Sequence, residues 1–185
     1  HSRSRRQRQM CIRDRAKIIE RNVDFPNGTV ITPDGKKMII GETYGGRLTS
    51  FDINSDGSLT NRQIWAQMMP TSYYLLTKIV RALKIPVKEG RATPYPVPDG
   101  ICLDDHNGVW VASPTTSEVI RYTQGGEVTQ RITTPDRAYA CMLGGKTGTT
   151  LFISTAKTSD PEIASREKNG KIYSTEVEYP RAGKP

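Results

Sequence analysis

The chain repeats itself, and that repeat limits its possible folds more than any other feature. Phe25-Pro26-Asn27-Gly28 opens the stretch TVITPDGKKMIIGETYGGRLTSFDI, and Val97-Pro98-Asp99-Gly100 opens ICLDDHNGVWVASPTTSEVIRYT. Superposed, each unit reads as a Pro-(Asn/Asp)-Gly opening, a short strand, a turn, an apolar strand, a polar turn and a third strand. The β-branched and aromatic runs are bounded by Gly, Asp and Asn, the pattern of strands joined by tight hairpins. Thr32-Pro33-Asp34-Gly35 and Gln124-Gly125-Gly126 supply the strongest turn signals. A fourth strand is expected each time, over Arg62–Gln67 and Glu127–Thr133. A looser third copy runs through Ala140–Gly144, Leu151–Thr155 and Lys171–Val177.

Four antiparallel strands in a unit of roughly 40–50 residues describe a β-propeller blade. A generic antiparallel sandwich has similar strands and turns, but it does not call for the repeated opening. The sequence therefore predicts an all-β fold with about three blades, the last one incomplete. Lys17–Arg21 reads as the outer strand of a further blade whose inner strands are missing. One segment breaks the pattern. Over 71–85 the period changes from 2 to 3.6, and Leu76, Ile79, Val80 and Leu83 form an apolar stripe. Thr71 or Ser72 is placed to cap this amphipathic helix, and Pro86 limits it. It can pack on the propeller rim, cover a site as a lid, or lie on a membrane surface.

Charge matters only through its position. The formal net charge is +8, but residues 1–15 hold six Arg against one Asp and carry most of it. That segment has no apolar periodicity and too much like charge to pack. We set it apart as an unstructured, spurious Arg-rich stretch, leaving 16–185 as the folded domain. Its other reading is an arm for nucleic-acid phosphates, but no interleaved aromatics or nucleic-acid module accompany it. We expect neither a nucleic-acid nor a membrane partner, since no apolar run reaches the length of a spanning helix. Three cysteines (Cys11, Cys102, Cys141) at no shared spacing exclude a disulfide framework and fit a reducing compartment or simple core use; we expect a cytoplasmic setting.

Chemistry is confined by what the chain lacks. Its two histidines are His1 and His106, the latter in the turn Asp104-Asp105-His106-Asn107-Gly108. A His-based zinc site or a Ser-His-Asp triad is therefore hard to assemble. In an antiparallel unit the start of the first strand and the end of the second lie at the same end. Asn27 and Asp99 should thus face each other across one mouth, with Glu42, Thr43, Tyr44 and Ser113 nearby. Oxygen ligands without His or Cys suit a hard cation. Asp52-Ile53-Asn54-Ser55-Asp56-Gly57 imitates the start of an EF-hand loop, but Gln63 stands where the bidentate Glu belongs, so we read it as a hairpin turn.

The segments PNGTVITPDGKKMIIGET, RLTSFDINSDGSLTNRQIWA, PDGICLDDHNGVWVA, CMLGGKTGTTLFIST and GKIYSTEVEYPRAGKP resemble the senescence marker protein / gluconolactonase / luciferin-regenerating enzyme-like family. The resemblance runs in order through residues 16–185. It implies a six-bladed propeller, present here as its C-terminal half, with a divalent metal at the channel mouth. It further implies hydrolysis of a small, sugar-type lactone. By resemblance Asn27 falls on a metal ligand, and Asp99 on a ligand that also serves as the acid/base group. Glu42 and Tyr44 are substrate-contact candidates on geometry alone. Ca²⁺ is the expected ion, with Zn²⁺ or Mn²⁺ as alternatives. The missing N-terminal blades are the expected structural partner. The competing reading is a non-catalytic propeller that binds a ligand or protein through its channel face.

Overall fold

The computed structural model describes residues 16–85 and 93–183, so the Arg-rich 1–15 segment lies outside the described residues. Two four-stranded sheets and one three-stranded sheet account for most of the chain. The first contains β1 (Pro26–Ile31), β2 (Lys37–Glu42), β3 (Arg47–Ile53) and β4 (Leu59–Gln67). The second contains β5 (Ile101–Leu103), β6 (Val109–Ser113), β7 (Glu118–Tyr122) and β8 (Val128–Thr133). The third contains β9 (Arg137–Gly144), β10 (Thr150–Ala156) and β11 (Lys171–Glu176). Every strand pairs antiparallel with its neighbour in sequence, the up-and-down order expected from the hairpin signals. Lys17–Arg21 forms no strand. Among the described residues no strand pairs with it, so its backbone groups gain no ladder hydrogen bonds.

The sheets stack in sequence. Ile39, Leu48 and Trp65 of the first pack on Ile101, Leu103, Val111 and Ile120 of the second. Trp110, Ala112 and Val119 on the second sheet's other face pack on Ala138, Leu143, Leu151 and Ile153 of the third. The middle sheet is thus covered on both sides, which is why β6 is buried along its whole length. Cys102 and Cys141 meet in the second cluster as free thiols with sulfurs 3.9 Å apart.

The two outer sheets differ. On the face of the first sheet turned away from the second, Ile40, Thr49 and Phe51 are buried. The chain before β1 lies along that face, held by Arg62, which donates to the Arg21 and Asn22 carbonyls at 3.2 and 3.0 Å. The corresponding face of the third sheet is bare: Met142, Phe152 and Ile172 are 51%, 42% and 75% exposed.

Two helices interrupt the sheets. α1 (Thr71–Ala82) joins β4 to the segment leading into β5, and α2 (Pro161–Arg166) joins β10 to β11. Neither Thr71 nor Ser72 caps α1; its N-cap is Pro70, without a side-chain bond. The shorter α2, not foreseen from the sequence, starts conventionally: Asp160 accepts from the Glu162 and Ile163 N–H groups and Pro161 occupies the first turn. Among the described residues no helix is long and apolar enough to cross a membrane.

Candidate functional site

Strand register gathers one end of each sheet. Pro26 pairs with Glu42, Glu42 with Arg47, and Arg47 with Gln67, so these residues share an edge. In the second sheet the Asp99 N–H donates to the Ala112 carbonyl at 3.0 Å, beside Ser113 at the end of β6. The first strands of adjacent sheets then meet directly. Gly28 N–H donates to the Asp99 carbonyl and Gly100 N–H to the Tyr139 carbonyl, both at 2.9 Å. The repeated glycine makes this approach possible. A Cβ on Gly28 would lie 2.5 Å from the Asp99 oxygen, and one on Gly100 would lie 2.7 Å from the Ala140 Cα.

Asn27 and Asp99 are brought together by this contact. Burial pushes the Asp99 carboxyl above the ordinary carboxylate value, and the neighbouring Asn27 amide offsets part of that rise. Thr43 ties the two openings to each other: it accepts from the Asn27 amide at 3.4 Å and donates to the Pro98 carbonyl at 2.7 Å. Buried Ser113 holds the approach to Asp99, accepting from the Val97 N–H at 3.3 Å and the Thr116 hydroxyl at 2.9 Å. Among the described residues no group of three or more His, Cys, Asp and Glu converges as a metal site would require. The donors at this end are one amide and one carboxylate. Their chemistry suits a hard cation, but they fill only part of its shell.

Glu42 proves to have a different role from the substrate contact expected of it. It is fully buried, and both oxygens are committed. Arg47 donates to Oε1 at 3.1 Å and Oε2 at 2.9 Å; Arg62, Thr49 and the Asp24 N–H add further bonds. Burial alone would raise its pKa, but the bonds from Arg47, Thr49 and Asp24 hold the carboxyl below its ordinary value. No lone pair is left facing solvent, so Glu42 is a structural anion. Tyr44 does reach the surface, at 46% exposure. Its ring packs on Phe25 with centroids 4.7 Å apart, and the Arg81 guanidinium lies 4.0 Å from its centroid.

Helix α1 crosses this same end, because β4 finishes there and β5 begins there. Its polar and aromatic side makes the contacts. Tyr74 hydrogen-bonds Asp24, Lys78 lies 3.4 Å from the Asp24 carboxylate, and Tyr73 meets Tyr95 edge-on at 5.0 Å. The helix thus bridges the segments that lead into Asn27 and Asp99. Three members of its apolar stripe, Leu76, Ile79 and Leu83, are each more than half exposed, and Val80 is partly buried. Of the three placements the sequence allowed, packing through that stripe is the one these contacts do not show.

The remaining motifs fall elsewhere. The EF-hand-like segment is the β3–β4 hairpin turn, where Asp52 pairs with Lys37 at 2.7 Å and Asp56 accepts from Ser58. His106 sits in the β5–β6 turn, bonded to Asp105 at 2.7 Å and stacked on Tyr179. Two open clefts of about 570 and 500 Å³ lie at this far end, lined by Thr32, Lys37 and Asn107 among others. Neither touches Asn27 or Asp99. Tyr139, which the sequence reading passed over, holds the position in the third sheet that Asp99 holds in the second.

Residues 8–157 match the family model described as SMP-30/Gluconolactonase/LRE-like region. The chain belongs to that family. It is 25% identical over 174 residues to a 6-deoxy-6-sulfogluconolactonase from Pseudomonas putida, covering 92% of this chain and 52% of the relative. Among solved structures, a luciferin-regenerating enzyme shares the fold with a TM-score of 0.65 at 20% identity, over 90% of this chain and 50% of its own. A calcium-binding regucalcin from Agrobacterium tumefaciens C58 superposes with a TM-score of 0.57 at 18% identity, over 86% and 47%. The chain therefore spans about half the length of these family members.

Proposed function

We propose that the three sheets are three blades of a six-bladed propeller, and that this family member hydrolyses a small, sugar-type lactone with a divalent metal. The carrying observation is the meeting of Asn27 and Asp99 where the first strands of two sheets come together. Family membership supports the reaction class, and relatives named as a sulfogluconolactonase and a calcium-binding regucalcin support the substrate type and Ca²⁺. Asn27 and Asp99 would hold the ion, with water completing its shell of oxygen ligands. When bound, the ion supplies Lewis acidity at the lactone carbonyl.

The chain's own residues do the rest. Asp99 takes a proton from the attacking water as it adds to the carbonyl carbon, then returns it to the ring oxygen as the acyl C–O bond breaks. The product is the open hydroxy acid. Thr43 keeps Asn27 in register with the Asp99 opening, and Tyr44 forms part of the rim against which a substrate would rest.

The test is lactone hydrolysis by the purified chain, followed by acid release with Ca²⁺ and with EDTA. Turnover that requires the ion and is lost in Asp99→Ala and Asn27→Ala is the expected result. Ion-independent turnover, or full turnover in Asp99→Ala, would refute it. A chain that binds lactone without turnover would favour the non-catalytic reading.

A further inference from the structure

We infer that Arg81 is a specificity-determining residue that selects lactones bearing an anionic substituent, such as a phosphate, sulfonate or carboxylate. The inference rests on the reaction proposed above and adds the substrate class. Four cations collect around the end that holds Asn27 and Asp99: Arg47, Arg62, Lys78 and Arg81. Arg47 is neutralised by buried Glu42 at 2.9 Å, and Lys78 faces Asp24 at 3.4 Å. Among the described residues Arg81 makes no ion pair and its side chain makes no hydrogen bond. It is nevertheless held in place, 4.0 Å over the Tyr44 ring. Stacking occupies the face of a guanidinium and leaves its edge of N–H donors unused.

That edge belongs to the site end of the molecule. Tyr44 follows Thr43, whose hydroxyl contacts the Asn27 amide at 3.4 Å. The helix carrying Arg81 bridges the segments leading into both Asn27 and Asp99. A fixed, planar fork of N–H donors pairs with two oxygens of one anionic group, which a flexible ammonium does less well. The other cations each face a carboxylate, so Arg81 is the one whose donors are left for a ligand among the described residues.

The experiment compares a neutral aldonolactone with the same lactone carrying a 6-phosphate, using the full chain, Arg81→Gln and Arg81→Lys. The chain should prefer the phosphorylated lactone in kcat/KM. Arg81→Gln should cut that preference at least about tenfold, chiefly through KM, and Arg81→Lys should restore part of it. Added salt should weaken the preference in the unaltered chain. A purely structural role for Arg81 would lower both substrates equally and leave the ratio unchanged, which overturns the inference. If neither lactone is hydrolysed, the reaction proposal fails and binding decides. Titration with 6-phosphogluconate and gluconate should then show an Arg81-dependent preference for the phosphate, and equal affinities would overturn the inference.

Discussion

Glu42 and Asp99 stand at the same end of adjacent sheets, each beside the opening of a first strand, and the sequence offers both as site residues. Their surroundings are opposite. Glu42 is enclosed and saturated by two arginines, a threonine and a backbone N–H. Asp99 is half-buried and has the Asn27 amide as its one favourable side-chain neighbour. Burial raises the pKa of a carboxyl unless partners reverse it, and these two residues show both results. A carboxylate whose bonds are filled serves the fold, whereas one left short of partners keeps its lone pairs for something else.

The sharpest way to break this contrast is to remove each group. Glu42→Ala leaves Arg47 and Arg62 facing a buried void, and should cost about 3–5 kcal/mol of stability in urea unfolding. Asp99→Ala should cost far less, and equal losses would erase the distinction. Next in size is the glycine that brings the strands together. Gly28→Ala forces backbone apart at a 2.5 Å contact and should cost about 1–3 kcal/mol, with loss of whatever activity depends on Asn27 meeting Asp99.

Acid should separate the two carboxylates further. The folded pKa of Glu42 lies below its ordinary value of 4.5, so its stabilisation is complete above the unfolded pKa and fades as pH falls through the folded one. The stability gap between the unaltered chain and Glu42→Gln, measured by thermal melts, should therefore hold at neutral pH and shrink in acid. Asp99 carries the reverse sign. Its folded pKa lies above 3.8, so the folded state loses stability as pH rises from there through the folded value. Asp99→Asn, melted in EDTA, should be more stable than the unaltered chain at pH 7 by under about 1 kcal/mol, with the gain vanishing toward the unfolded pKa.

The hairpins were legible because Gly, Asp and Asn punctuate every apolar run, and the observed strands follow those marks closely. The Pro-(Asn/Asp)-Gly opening was legible as a repeat, but its physical reason was not. Taken alone it reads as an ordinary turn; in the fold, Pro26–Gly28 belong to β1, and glycine is required by the neighbouring strand rather than by its own backbone. The part played by Glu42 could have been found. Glu42 and Arg47 flank the turn between β2 and β3 and pair directly across it, an opposite-charge pair visible at sequence level. Arg62 could not, since it reaches Glu42 only through the sheet. For α1 the period identified a helix, but which side faces the protein was decided by Asp24, Tyr44 and Tyr95, whose positions periodicity does not encode.

The uncovered side of the third sheet has a practical consequence for anyone who prepares this chain. Met142, Phe152 and Ile172 offer a pleated, greasy wall with no charge among them, of the kind that draws strangers together in concentrated solution. Handling should therefore improve when one of them is exchanged for lysine. The remedy alters none of the packing against the middle sheet, because that contact uses the opposite side.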